Sequence, residues 1–275
     1  MSELTVGEFM DKFESWAPPY LAVEGDPIGL HFGSRKQKVK RLMVTLDVRP
    51  AVVEEACEKN VDLLFAHHPP IFRAPKTLRD DQPQEKMYAD ILRQNLAVYA
   101  AHTNLDTVTG GMNDWLAEQY GFSQLEILAP HGSTDRGTEA EEPFGMGRVG
   151  QLKTPMPIED YAQLVKEKSG TRGLRMVLGR PHGEVKRVAV LGGSGQKYYE
   201  AARLAGADTF ITADLTYHFA HDMEAWGLNA LDPGHYMEQV VKASLLPRFE
   251  AWREEENWPI EILMSTINTD PFYFI

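Results

Sequence analysis

The stretch VKRLMVTLD (Val39–Asp47) is typical of a buried strand, and it has a counterpart later in the chain, VKRVAVLGG (Val185–Gly193). A helix-like segment follows each copy, and a second apolar strand follows each helix: VDLLFAHH in the first copy and ADTFITAD in the second. The spacing also agrees, because 22 positions separate the first valine of each copy from the start of its second strand, at Val61 and Ala207. Strands that alternate with helices indicate βαβ units and a mostly parallel sheet. The sequence therefore predicts an α/β fold of two pseudo-repeated, βαβ-containing halves, with chance similarity between two βαβ units as the alternative.

The predicted halves imply a division of the chain into three segments. Residues 1–130 form the first α/β half, residues 131–150 a connection, and residues 151–275 the second half, whose C-terminal segment can pack back on the first. The first part of the connection, HGSTDRGTEAEE, is dominated by Gly, Glu, Ser and Thr. That composition is typical of an exposed and mobile connection.

Composition excludes several classes of protein. The chain of 275 residues is 43% hydrophobic and 25% charged, which is ordinary for a globular protein. No uninterrupted apolar run approaches the roughly 18 residues of a membrane span, and the polar N-terminus is typical of an amphipathic helix, so we expect a cytoplasmic protein. Its one cysteine, Cys57, excludes an intrachain disulfide and a Cys-based metal site. The net charge of −12 disfavours nucleic acid as a partner, and the basic cluster Ser34–Arg41 is interpreted as a solvated loop.

Four predicted strand ends carry histidines or carboxylates. These polar residues, in chain order, are His67 and His68, His102 and Asp106, Asp214 and His218, and His235 and Glu238. The carboxyl ends of parallel strands open onto the ligand crevice of an α/β sheet. A mixture of imidazole and carboxylate without thiolate favours an open, catalytic metal site over a closed structural zinc site, and two metals about 3.5–4 Å apart would fit it.

Alternatives remain for the individual histidines. The pair in LLFAHHPPIF (Leu63–Phe72) is interpreted as a metal site, an acid-base site or two ordinary loop residues. Adjacent strand residues point to opposite faces, so both imidazoles reach one site only if the strand has ended, which the following Pro-Pro supports. His102 and His218 are candidates for acid-base catalysis, with structural roles as the alternative. In GHYME, a helix would bring His235 and Glu238 onto one face.

Several motifs together resemble the Nif-three-like family, whose members are also called GTP cyclohydrolase I type 2 homologues. The resemblance spans nearly the whole chain, in the family's order, and rests on GLHFG, LLFAHHPPIF, AAHTNLDTVTGGMNDWLA, GRVGQL, VKRVAVLGGSG, GADTFITADLTYHFAHDM, DPGHYMEQ and TDPFYFI. The segment TADLTYH departs from the family's more usual TGD followed by a basic residue. Substrate contacts are therefore not carried over to Ala213 and Thr216.

The resemblance implies a dinuclear metal centre in a subunit of two similar halves that assembles into a toroidal hexamer. The matching ligand positions are His67, His68, Asp106, His235 and Glu238, with Asp106 as the bridge between two divalent ions of unspecified identity (zinc, iron, manganese or similar). Some members carry an inserted domain between the halves, whereas this chain has only residues 131–150 there and resembles the short form.

Two main hypotheses for function follow. The first is a metal-dependent hydrolase that acts on a small molecule, a nucleotide or related heterocycle, with His102 or His218 as the acid-base group. The second is a non-enzymatic hexameric scaffold or regulatory protein that binds metal. A metal chaperone or store is the third and weakest, since strand-end carboxylates resemble a catalytic site more than a transfer site.

Overall fold

The computed structural model describes residues 3–134, 142–181 and 183–275, and these form strands and helices of a mixed α/β protein, as predicted. The strands are β1 (Gly29–Phe32), β2 (Arg41–Thr45), β3 (Leu63–Ala66), β4 (Ala97–Ala100), β5 (Phe122–Thr134), β6 (Glu142–Pro157), β7 (Arg175–Val177), β8 (Glu184–Val190), β9 (Thr209–Ile211), β10 (Asn229–Asp232) and β11 (Glu261–Met264). The helices are α1 (Val6–Trp16), α2 (Pro50–Glu58), α3 (Pro83–Arg93), α4 (Thr103–Thr107), α5 (Met112–Gln119), α6 (Ile158–Ser169), α7 (Tyr199–Leu204), α8 (Tyr217–Ala225) and α9 (Val240–Glu255). Short 3₁₀ helices lie at Pro19–Leu21, Gln196–Tyr198 and His235–Gln239. Within the described ranges, no helix has both the length and the apolar character that crossing a bilayer requires.

The chain divides into two compact units. The first unit comprises Met1–Leu105 and Val241–Thr269, and the second comprises Asp106–Val240 and Asp270–Ile275. These bounds differ from the predicted segment boundaries at residues 130 and 151. The chain first passes from one unit to the other inside α4, and a long C-terminal stretch belongs to the first unit.

The first unit is built on a five-stranded sheet in the order β1-β4-β3-β2-β11. Strands β4, β3, β2 and β11 are parallel, and β1 pairs antiparallel with β4 at the edge. The predicted N-terminal helix, α1, begins with a capping box in which Thr5 and Glu8 satisfy each other's backbone N–H groups. Its buried face carries Phe9 and Phe13, whose rings pack against Phe65 of β3 and Phe249 of α9. This aromatic cluster fixes α1 and α9 on the sheet.

The second unit has a six-stranded sheet in the order β5-β6-β8-β9-β10-β7. Strands β8, β9 and β10 are parallel, and β7 and β6 pair antiparallel at either side of them. Three parallel strands with an antiparallel strand beside the third therefore occur in both units, as β2-β3-β4 with β1 and as β8-β9-β10 with β7. This arrangement confirms the predicted pseudo-repeat.

The repeat extends to individual hydrogen bonds. The carboxylate of Asp62 accepts the backbone N–H groups of Lys40 and Arg41, at 2.7 and 2.9 Å. In the second unit, Asp208 accepts those of Lys186 and Arg187, at 2.8 and 2.9 Å. Each aspartate precedes the second strand of its βαβ unit and holds the backbone of the first strand or of the residue just before it. The equal spacing in the sequence thus reflects the same local structure formed twice.

The predicted connection is largely strand where the structure describes it. Its flanks belong to the long hairpin of β5 and β6, with Gly132 opposite Phe144 and Pro130 opposite Gly145, and residues 135–141 lie outside the described residues. A Cβ atom on Gly145 would lie 2.2 Å from the carbonyl oxygen of Ala129. The glycines that resembled a loop signal are therefore sites where two strands approach closely.

Candidate functional site

Three neighbouring parallel strands of the first unit end in polar side chains. Asp47 lies just beyond β2, His67 and His68 follow β3, and His102 follows β4. The backbone N–H groups of both histidines still bond to the adjacent β2 segment. His67 donates to the carbonyl of Thr45 at 3.3 Å, and His68 donates to the carbonyl of Leu46 at 2.9 Å. The sheet therefore brings all of these side chains together at the carboxyl ends of its parallel strands, as predicted.

The three imidazoles at these strand ends form a cluster. Ligand nitrogens of His67, His68 and His102 all lie within 4.8 Å of one another. His67 is fully buried, and the side chains of His68 and His102 are 17% and 21% exposed. Strand β3 ends at Ala66 and the chain bends at both histidines, so neighbouring residues reach the same region, as the Pro-Pro sequence predicted.

The loop after the histidines is held by a helix. The carbonyl oxygen of Pro70 accepts the hydroxyl of Tyr88 at 2.6 Å and the amide of Gln84 at 3.3 Å, both from α3. A buried hydroxyl that bonds a loop carbonyl reduces the freedom of the loop. The turn that directs the histidines is therefore anchored in the core of the unit.

Each imidazole of the cluster is oriented through its Nδ1 atom. That atom of His67 lies 2.9 Å from the carbonyl oxygen of Ala101, which requires it to carry the proton. Nδ1 of His68 lies 2.6 Å from a carboxylate oxygen of Asp47, and Nδ1 of His102 lies 2.8 Å from one of Asp26. An imidazole that donates from Nδ1 to a carbonyl or carboxylate has the tautomer and orientation typical of a metal ligand that binds through Nε2.

The two orienting carboxylates were missed by the sequence analysis. Asp47 also accepts the hydroxyl of Thr269, and Asp26 accepts both the backbone N–H of Thr103, at 2.9 Å, and its hydroxyl. Burial opposes ionisation of Asp26, but hydrogen bonds from His102 and Thr103 outweigh it, and the pKa of this carboxyl is lowered. Asp47 follows β2 as the histidines follow β3, which is the signal that could have identified it.

Two buried carboxylates lie close together in the second unit. Asp106 lies on α4 and Glu238 on the 3₁₀ helix His235–Gln239; they are 4% and 2% exposed, and carboxylate oxygens of the two lie within 4.8 Å of each other. The carbonyl of Asp106 accepts the side-chain amide of Asn113 at 2.8 Å. The same amide group accepts the N–H of Gly192 at 2.9 Å, so α4 and the turn after β8 are bonded through Asn113.

His235 and Glu238 lie on one face of their 3₁₀ helix, as the spacing predicted. In such a helix residues i and i+3 are nearly eclipsed, and Nε2 of His235 lies 3.2 Å from a carboxylate oxygen of Glu238. Nδ1 of His235 lies 2.7 Å from the carboxylate of Asp214, which repeats the orientation seen for the histidines of the first unit.

The glycine-rich turn after β8 packs against this pair. A Cβ atom on Gly192 would lie 2.9 Å from a carboxylate oxygen of Glu238, and one on Gly193 would lie 3.1 Å from Nε2 of His235. Gly193 also has a positive φ of 61°. These contacts account for both glycines through close packing.

His218, the second acid-base candidate, has a different environment. It lies exposed on α8, with its ring 5.6 Å from that of Tyr217 in an edge-to-face contact. His218 is part of none of the metal-ligand groupings found among the described residues.

The sequence model of one protein family, Duf34/NIF3 (NGG1p interacting factor 3), matches residues 4–271. This chain belongs to the Duf34/NIF3 family. The match covers all but the last four residues of the motifs on which the resemblance rested, so the predicted family is confirmed.

Similar proteins agree with membership of the Duf34/NIF3 family. A Streptococcus pneumoniae protein named GTP cyclohydrolase 1 type 2 homolog is 38% identical, over 99% of this chain and all of the relative. A Bacillus subtilis protein of the same name is 33% identical over 98% of each chain, and since that alignment extends over 366 positions, this relative contains sequence that the present chain lacks. The crystal structure of a Bacillus cereus protein related to NIF3 matches with a TM-score of 0.94, 28% identity and full coverage of both chains.

Proposed function

We propose that this protein is a metal-dependent hydrolase that holds two divalent ions and acts on a nucleotide or a related heterocycle. The proposed ligands are His67, His68, Asp106, His235 and Glu238, with Asp106 as the bridge. Four of these side chains are buried or nearly so, which suits ligation: His67, His68, Asp106 and Glu238. The family resemblance supplies the ligand positions and the number of ions.

One observation carries the proposal: every histidine in the proposed ligand set bonds through Nδ1 to an oxygen acceptor. The acceptors are the carbonyl of Ala101 for His67, Asp47 for His68 and Asp214 for His235. Random surface histidines have no reason to share this pattern, whereas metal ligands almost always do, because the second nitrogen must then present its lone pair. The side chains therefore fit a divalent ion.

The donor set also fits in its chemistry. Imidazole nitrogens suit zinc, iron, manganese and similar ions, and two buried carboxylates offset the positive charge of the ions. When bound, two such ions polarise a substrate oxygen and lower the pKa of a water molecule. Within the chain, the role left to His102 is proton transfer, since Asp26 holds its Nδ1 proton and leaves Nε2 to accept or donate.

The substrate class rests on the relatives. Curated relatives in Streptococcus pneumoniae and Bacillus subtilis are named GTP cyclohydrolase 1 type 2 homolog, and we extend to this chain a purine nucleotide or similar ring as the substrate. Hydrolytic opening of such a ring requires an activated water and a group that protonates the leaving nitrogen. His102 is the proposed donor, and the exposed His218 is the second candidate.

The test begins with metal content. The protein is purified without chelator, and bound metal is measured by elemental analysis; we expect close to two ions per subunit, with less metal in His68→Gln and Asp106→Ala. His221→Gln is the matched control, because His221 lies on α8 with its side chain 55% exposed. This variant should keep the metal content of the unmodified protein. If Asp106→Ala retained two ions per subunit, the proposed bridge would be wrong.

Turnover then separates the enzyme from the scaffold. The metal-loaded protein is assayed with purine nucleotides, related heterocycles and phosphodiesters in the presence of added manganese, zinc, iron or magnesium. Hydrolysis that disappears in His102→Gln supports the enzyme. Stoichiometric metal with no turnover on any of these compounds would instead favour the non-enzymatic scaffold.

A further inference from the structure

Asp214 has a backbone conformation that residues other than glycine rarely adopt. It lies beyond the end of β9 with a φ of 57°, in the left-handed region that favours glycine. Asp tolerates this region better than most residues, yet glycine would adopt it without steric cost. Strained residues of this kind are concentrated at functional sites, where the surrounding structure holds them in place.

Hydrogen bonds fix the backbone on both sides of Asp214. The N–H of Ala213 bonds to the carbonyl of Gly193 at 2.8 Å, and that of Thr216 to the side chain of Gln196 at 2.8 Å. Between them, the N–H of Leu215 bonds to the carboxylate of Asp232 at 3.0 Å. These bonds explain how the strained conformation persists.

Buried Asp232 connects this loop to the loop that carries His235. One of its oxygens accepts the N–H of Leu215, and the other accepts the N–H of Gly234 at 2.9 Å. Asp214 and His235 are therefore held on two loops that share one anchor. The resulting distance from the Asp214 carboxylate to Nδ1 of His235 is 2.7 Å.

Stability does not account for this contact. The side chains of Asp214 and His235 are 44% and 38% exposed, and ion pairs in that range contribute little to folding. Nothing about the turn itself requires aspartate, since glycine would serve it better. The feature that only the carboxylate provides is the orientation of the imidazole.

We propose that Asp214 is a positioning residue that holds His235 so that its Nε2 atom presents to a metal ion beside Glu238. This inference rests on the proposed function for its metal. The strained backbone of Asp214 is retained because its carboxylate orients His235, and not because folding requires it.

The experiment compares Asp214→Gly with Gln124→Gly. Gln124 is exposed in the same unit and has the same φ of 57°, so its replacement removes the same backbone strain away from His235. Metal affinity is measured by competition with a chromophoric chelator for zinc, melting temperature by calorimetry, and the orientation of His235 in crystals of the metal-free variants.

We expect Asp214→Gly to bind zinc roughly 10- to 100-fold more weakly, as is usual when a carboxylate that orients a histidine ligand is removed. Its melting temperature should fall no more than about 2 °C below that of Gln124→Gly, which should bind zinc normally. Asp214→Asn, which keeps an acceptor oxygen, should show a smaller loss of affinity. A loss of affinity that merely followed a loss of stability would overturn the proposal.

The metal-free crystals keep this inference separate from the proposed function. If the unmodified protein binds no metal, the proposed function fails, but the orientation of His235 can still be judged. In Gln124→Gly the imidazole should keep Nδ1 against Asp214, and in Asp214→Gly it should rotate or become disordered. An unchanged, well-ordered ring in Asp214→Gly would show that the carboxylate does not position it.

Discussion

At the scale of single residues, the histidines of the candidate site were predictable and their partners were not. HHPP after an apolar strand indicated His67 and His68 without any structure. Asp47 and Asp26 were missed because their partners lie 21 and 76 residues away, and the contacts depend on how β2 aligns with β3 and how β1 aligns with β4. A side-chain contact between strands requires the register of the sheet, which local sequence does not specify.

The carboxylate of Asp47 should control metal binding through His68. Its removal in Asp47→Ala leaves the imidazole free to rotate and to change tautomer, so we expect zinc affinity to fall by about 10- to 100-fold. Equilibrium competition with a chelator measures the change. Thr269→Val, which removes only the hydroxyl that bonds to Asp47, should have a smaller effect.

Asp11→Ala is the control for this prediction. Asp11 forms an exposed ion pair with Arg35 in the same unit, so its loss should change neither metal affinity nor folding measurably. Equal affinities for Asp47→Ala and the control would exclude a role for Asp47 in holding the ligand.

At the scale of elements, the repeat was predicted from spacing and is explained by paired hydrogen bonds. Asp208 is 7% exposed and accepts the backbone N–H groups of Lys186 and Arg187 within β8, so its removal leaves these groups without that acceptor. Asp208→Ala should therefore lower the free energy of unfolding by about 2 kcal/mol. Asp208→Asn retains one acceptor oxygen and should cost less, as measured by urea denaturation; equal losses for the two variants would contradict the explanation.

Glu55 of α2 fixes the segment that follows β11. Its carboxylate accepts the hydroxyl of Ser265 at 2.6 Å, the N–H and hydroxyl of Thr266 at 3.0 and 2.7 Å, and the ammonium group of Lys59 at 2.8 Å. Burial raises the pKa of Glu55, but these bonds outweigh it and lower the pKa from 4.5 to about 2.

The sign of the resulting pH dependence follows from this lowered pKa. The stabilisation is fully present above the unfolded-state value near 4.5 and is lost as the pH falls through about 2. Glu55→Gln should therefore lower the free energy of unfolding by roughly 2 kcal/mol at neutral pH and less at pH 3. Urea denaturation at several pH values measures both effects. Glu58→Gln, on the exposed side of the same helix, is the control, and an identical pH profile for the two variants would refute the assignment.

At the scale of the whole molecule, the α/β class and its repetition followed from the order of strands and helices. The hairpin of β5 and β6 was not predicted. Its glycines, Gly132, Gly145 and Gly150, permit close contact between strands, but a segment rich in glycine is typical of a loop. The sequence allowed the C-terminal segment to pack back on the first half, but the pairing of β11 with β2 depends on contacts between distant parts of the chain. Sequence patterns therefore predicted the elements whose signals are local, and not the strand pairings that depend on tertiary contacts.

The assembly is the remaining prediction at this scale. The family resemblance implies a hexamer, which has a mass about six times the 31.0 kDa of the subunit. Each subunit has a formal charge of −12, so the subunits repel one another and screening by salt should favour the assembled form. We therefore expect sedimentation velocity at micromolar concentration to show the hexamer most completely at 0.3 M salt or above, with dissociation near 0.01 M. Sedimentation of a single subunit under all of these conditions would exclude the hexamer, and an assembly that weakened as salt was added would contradict the electrostatic argument.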